Sequence, residues 1–238
     1  MAIFGNGQSS FQSHMTFREG ASELSESRYN LIIGAMLTWG FFLNFLITQL
    51  AGPAILNMVL YSPASYSTFM IAFVVAYFAL AMTGSALVRS YSPVRCFIGY
   101  NLIAVPVGVV VAIAMIGYDT QLVTRAALIT AIVTLIMMIV SMLAPQVFAR
   151  MGTGLGVALL SVIVVESLAM LIFRMSITAI DWIVVGIMCL YIGFDWVRAN
   201  SVQRTTTNAI AAASALYLDI INIFLRVLRI LARSRSND

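Results

Sequence analysis

Seven long apolar runs follow one another along the chain, separated by short polar breaks, and nothing else constrains its folding so strongly. They lie at about Tyr29–Leu50, Ser67–Val88, Cys96–Ile116, Ala126–Ala144, Thr153–Phe173, Ile180–Val197 and Asn208–Leu231. Each is close to the roughly 20 residues that a helix needs to cross a bilayer. The breaks put charges and turn formers where lipid headgroups sit, as in Arg89-Ser-Tyr-Ser-Pro-Val-Arg95 and Gly117-Tyr-Asp-Thr-Gln-Leu-Val-Thr-Arg125. Only 9% of the residues are charged and 61% are hydrophobic. A water-facing chain carries about 25% charge, so lipid must be the main solvent here. Barrel strands alternate in polarity and these runs do not. The expected fold is therefore an all-α integral membrane protein, a seven-transmembrane-helix bundle.

Three regions follow. Residues 1–28 form a polar tail with three Glu and no apolar stretch of the secretory kind. Residues 29–232 form the membrane domain, and residues 233–238 a short basic tail. Between the first two runs, Ala51–Tyr66 carries Pro53 and Pro63 and reads as an interfacial turn or partial helix. Pro106, inside the third run, predicts a kink. Arg18, Arg28, Arg89, Arg95, Arg150, Arg198 and Arg204 fall on one side of the membrane; Arg125, Arg174, Arg233 and Arg235 fall on the other. The positive-inside rule then places the N-terminus in the cytoplasm, with the basic C-terminus as the misfit.

Several chemistries are missing their residues. All 13 basic residues are Arg, so no Lys can hold retinal as a Schiff base. The single His, His14, lies in the polar tail, which leaves no His-ligated haem or metal centre in the membrane. No cofactor is expected. Cys96 and Cys189 occupy separate runs and read as two buried thiols. The net charge of +4 comes from scattered Arg and signals no nucleic acid. An enzyme is not expected either. An intramembrane aspartyl protease needs two membrane Asp, but Gly193-Phe-Asp195 lacks the Gly that precedes the catalytic Asp, and Asp119 sits in a loop. A serine protease needs a membrane His or Lys.

Ionisable groups at a membrane centre cost about 2.5–3.5 kcal/mol each on insertion scales, so those inside the runs need a reason. Three acids lie within the runs: Glu166, Asp195 and Asp219. Asp119 and Asp181 sit at run ends and read as solvated caps. Asp219 is the deepest, about 17 Å into the last run at 1.5 Å per residue. Asp219, Asn222, Arg226, Arg229 and Arg233 form one helical stripe, which makes the C-terminal helix central or cavity-lining. Asn222 is a candidate partner for Asp219. Arg198, three residues beyond Asp195, is positioned to pair with it. Glu166 has no partner in its own segment.

The segment Ala215-Leu-Tyr-Leu-Asp219-Ile-Ile-Asn222-Ile-Phe-Leu-Arg-Val-Leu-Arg229 resembles the closing signature of the Bax inhibitor-1 (transmembrane Bax-inhibitor-motif) family. The family's second Asp ends the preceding helix, which points to Phe194-Asp195-Trp196, with Trp where the family has Thr. Tyr118-Asp119-Thr120-Gln121 matches the letters better but stands three runs too early. The resemblance implies a calcium-permeable leak. Its closed state depends on protonation of the Asp195–Asp219 pair, and an Arg at the end of the second helix latches it: Arg89 first, then Arg95.

Electrostatics supports such a gate. Two carboxylates in a poorly hydrated site do not both ionise cheaply, so the pair holds a shared proton that bridges helices six and seven. Losing that proton would drive the helices apart and leave oxygen ligands suited to a transient calcium ion. The expected partners are the lipid bilayer, calcium and protons, with calcium as permeant ion rather than cofactor. The expected location is the inner membrane of a bacterium or an organelle membrane of a eukaryote. Two other classes fit the same sequence: a proton-coupled membrane transporter, and a non-conducting regulatory or scaffold protein.

Overall fold

The computed structural model describes residues 23–173 and 178–236. His14, Arg18, Arg174 and most of the N-terminal tail lie outside the described residues. Every regular element among the described residues is a helix: α1 (Glu26–Tyr61), α2 (Pro63–Val88), α3 (Pro93–Met115), α4 (Thr120–Leu143), the single turn α5 (Pro145–Ala149), α6 (Gly152–Phe173), α7 (Thr178–Ser201) and α8 (Thr206–Ser236). Six of these are long and apolar enough to cross a bilayer: α1, α2, α3, α4, α6 from Gly152 to Ala169, and α7 from Ala179 to Ser201. The polar stripe keeps α8 out of that set.

The helices cover the apolar runs and overrun several of them, α4 beginning at Thr120, α7 ending at Ser201 and α8 at Ser236, with the largest overrun after Leu50. There α1 continues through Pro53 to Tyr61, and only Ser62 separates it from α2, so of the two readings of Ala51–Tyr66, interfacial turn or partial helix, the segment takes the helical one. The reason is the solvent. In lipid a backbone group without a partner costs several kcal/mol, so breaking the helix for one missing N–H is worse than carrying the proline. Pro63 takes the first turn of α2, where a missing N–H costs nothing. The helix α3 likewise runs on past Pro106, which is buried.

The outer faces are apolar. Ile71, Phe78, Leu135, Ile139, Leu143 and Leu171 are each at least 60% exposed, an arrangement stable only against lipid. Several hydroxyls are satisfied by their own helix: Thr38, Thr83, Thr130 and Ser161 each donate to the carbonyl four residues back.

The described chain divides into two compact units, one running up to Ala112 and including Ala199–Ser214, the other comprising Ile113–Arg198 with the residues from Ala215 onward. In the first unit α2 and α3 meet backbone to backbone at Gly84 and Gly99. A Cβ on Gly99 would lie 2.6 Å from the Val88 nitrogen and 2.7 Å from the Gly84 carbonyl oxygen, a small-residue contact of the kind membrane helices use. The thiol of Cys96 closes the turn by donating to the Val88 and Ser90 carbonyls, and Tyr100 Oη donates to the Met36 carbonyl at 2.7 Å. The start of α1 is tied to the α7–α8 turn. Tyr29 Oη donates to the Ala199 carbonyl at 2.9 Å, and Arg204 pairs with Glu26 at 3.2 Å. Thr205 Oγ1 accepts from the Asn208 amide, capping the first turn of α8.

In the second unit α7 is locked by ring-into-glycine packing on both sides. The Phe148 ring fills the hollow over Gly193, and the Phe194 ring fills the hollow over Gly152. Asp119 caps α4 by accepting from the Leu122 amide at 2.8 Å and pairs with Arg235, as a solvated cap does. Cys96 and Cys189 are both free thiols, the first buried and the second half-buried.

Candidate functional site: a carboxyl pair and a buried ion network

Near the C-terminal end of α7, Asp195 faces Asp219 of α8, close enough for the two carboxyls to interact. Each residue is only 8% exposed. Ionised carboxylates can only accept, so a bond between the two needs a proton on one of them. The Oδ2 of Asp219 is sealed from solvent and meets no donor. Arg198 Nη1 stands 3.8 Å from Asp195 Oδ1. That is charge contact without a hydrogen bond. The phenol of Tyr191, one turn before Asp195, is close enough to feel both carboxyls.

Asn222 lies elsewhere. Its side chain is exposed and its Nδ2 donates to the Leu218 carbonyl at 2.9 Å, so the expected bond to Asp219 is not made. One turn of its own helix offers a nearer acceptor than the carboxyl pair.

Two turns beyond Asp219 a second cluster appears, and the sequence reading missed it. Arg226 forks onto Glu166 of α6, with Nη1–Oε1 at 2.8 Å and Nη2–Oε2 at 2.7 Å, and its Nη1 also reaches Asp181 Oδ1 at 2.7 Å. Arg229 Nη1 bridges the same two acids at 3.3 and 3.2 Å, and Arg233 Nη1 takes Asp181 Oδ2 at 2.8 Å. All four carboxylate oxygens are thereby occupied. Asp181 is 1% exposed, so it is not the solvated cap its position suggested. It is the anion that three guanidiniums share. Glu166, without a partner in its own segment, finds two on α8. A signal was available: three Arg on one membrane stripe require anions, and the apolar runs supply few.

The two clusters set the register of α7 against α8. Fourteen residues separate Asp181 from Asp195 on α7, and fourteen separate Asp219 from Arg233 on α8. With Asp195 on Asp219 and Asp181 on Arg233, the helices run antiparallel over about 21 Å at 1.5 Å per residue.

The latch candidates belong to the other unit. Arg89 and Arg95 both stand exposed at the α2–α3 turn, where Arg89 ends α2. Among the described residues no group of three or more His, Cys, Asp or Glu gathers in the manner of a resident metal site.

These features define a class: an all-helical integral membrane protein, in contact with lipid over several apolar helices, with buried ionisable groups (Asp181, Asp195 and Asp219) on its last two helices. The chain belongs to the family described as inhibitor of apoptosis-promoting Bax1, whose model matches residues 26–237, nearly the whole chain. No curated protein and no solved structure matches it.

Proposed function

We propose that this chain is a pH-sensitive, calcium-permeable leak channel gated by protonation of the Asp195–Asp219 pair between α7 and α8. The observation that carries this reading is the buried apposition of the two carboxyls, each residue only 8% exposed. A shared proton holds the helices together. Its loss places two like charges in a low-dielectric site, separates α7 from α8 and frees oxygen ligands for a hard cation. Calcium passes as the permeant ion with Asp195 and Asp219 as transient ligands; no resident cofactor and no enzymatic chemistry belong to the reading. Arg89, and after it Arg95, serves as the cytoplasmic latch. Membership of the family is in keeping with this mechanism.

In the same reading α8 is the seventh crossing. Its 31 residues span about 46 Å at 1.5 Å per residue, more than a bilayer core, and most of its side chains up to Ile223 are enclosed. The N-terminus is cytoplasmic. On a background without the native cysteines, labelling from outside intact cells is expected to miss a cysteine at Ser92 and to reach one at Thr120; the reverse pattern overturns the orientation. Proteoliposome flux separates the functional classes. A channel passes calcium down its gradient without a counter-solute, a proton-coupled transporter requires one, and a scaffold passes nothing.

A further inference from the structure

We propose that Arg226, seated between Glu166 and Asp181, is a second lock on α8, in series with the aspartate pair, and that it sets the resting leak rate. The proposal rests on the channel reading and extends it to residues outside the pair. Its ground is geometric. One guanidinium joins three helices: its fork takes both oxygens of Glu166 on α6, and one of its nitrogens also takes Asp181 on α7. Arg226 is 16% exposed and Asp181 is 2% exposed at their side chains, so their contact is shielded from the solvent screening that empties surface ion pairs of value, while Glu166, 25% exposed, is only partly shielded. A planar two-pronged donor suits this site and an ammonium does not.

The lock is mechanically linked to the gate. Arg226 follows Asp219 by seven residues, two helical turns on the same face and about 10 Å along the axis. Asp181 and Asp195 likewise share α7. Any rigid motion of α8 that parts Asp219 from Asp195 must also strain or break the grip of Arg226 on Glu166 and Asp181. The proton therefore works against two contacts, and the strength of the second determines how far the helix moves once the first is lost. Arg229 and Arg233 add to the same grip through their bonds to Asp181.

The test uses the full-length chain in proteoliposomes, with Arg226→Gln, Arg226→Lys and Glu166→Gln. Two readings are taken: calcium efflux against pH, and the distance between spin labels at Leu171 of α6 and Ser234 of α8, both exposed positions, on a background lacking Cys96 and Cys189. Arg226→Gln is expected to raise efflux severalfold at every pH, with the pH response retained because the aspartate pair is intact, and to add a second, longer population to the label distances. Glu166→Gln should move both readings the same way. Arg226→Lys, which keeps the charge but loses the fork, should fall between Gln and the wild type. A residue with only a general packing role would not give that graded order. If Arg226→Gln does not fold, Arg226→Lys and Glu166→Gln carry the test. Distances and efflux that stay at wild-type values in the folded variants overturn the lock. If no protein passes calcium, the channel reading fails, and the label distances alone then decide whether Arg226 holds α8.

Discussion

Asp219→Asn is expected to flatten the pH dependence of calcium efflux and to hold alkaline efflux near its acidic level. Asn keeps the size of Asp and donates a hydrogen bond to Asp195 at any pH, so the bridge between α7 and α8 no longer depends on a proton. The effect should be large. Two like charges about 4 Å apart at an effective dielectric near 20 repel by about 4 kcal/mol, roughly a thousandfold in a two-state equilibrium at 1.4 kcal/mol per tenfold. Removing one ionisable partner removes that drive entirely. Asp195→Asn should act in the same direction, because it leaves only one charge in the site. The check is efflux measured across a pH series for both variants beside the wild type. A pH response that survives in both would move the gate to other residues. Glu166→Gln is no neutral comparison, since it strips Arg226 of its forked partner.

Asp181→Ala should be the most destabilising single change in the second unit. This one carboxylate, 2% exposed at its side chain, holds Arg226, Arg229 and Arg233. Removing one partner of a buried ion pair costs about 3–5 kcal/mol, because the remaining charge has no solvent to return to. The loss here falls at the lower end of that range: Arg226 and Arg229 keep Glu166, and Arg229 is 41% exposed. Asp181→Asn retains shape and some bonding and should lose less. Thermal unfolding in detergent, followed by tryptophan fluorescence, measures the difference. Equal melting of Asp181→Ala and wild type would mean that the network carries little of the stability.

Much of the architecture was legible because membrane solvation leaves few options. Runs of apolar residues bounded by Arg89-to-Arg95 and Gly117-to-Arg125 can only be helices with interfacial turns, and a helix formed over every run, although α4 takes in Arg125 and α8 runs on through Arg226, Arg229, Arg233 and Arg235. At Pro53 the sequence left turn and partial helix open, and the helix continues because a broken helix is not rehydrated in lipid as it is in water. The last helix falls outside a hydropathy criterion because its stripe of Asp219, Arg226, Arg229 and Arg233 interrupts the apolar run. At the proposed site, Asp195 and Asp219 were singled out through spacing and motif, and the structure brings them together. The partners of Glu166 and Asp181 were not, because they lie 45 to 63 residues away and no local pattern encodes that register. The stripe on α8 announced that anions were needed. Only the antiparallel fit of α7 on α8, fourteen residues against fourteen, selects which anions serve.

The central claim is that a shared proton on Asp195 and Asp219 holds the pathway closed. Calcium efflux from proteoliposomes containing the wild-type chain alone, with no counter-solute and with the pH stepped from acidic to alkaline, tests it most directly. The account predicts a leak that is low in acid and rises as the pair gives up its proton. Efflux that is absent at every pH, or that is present and does not change with pH, would contradict it.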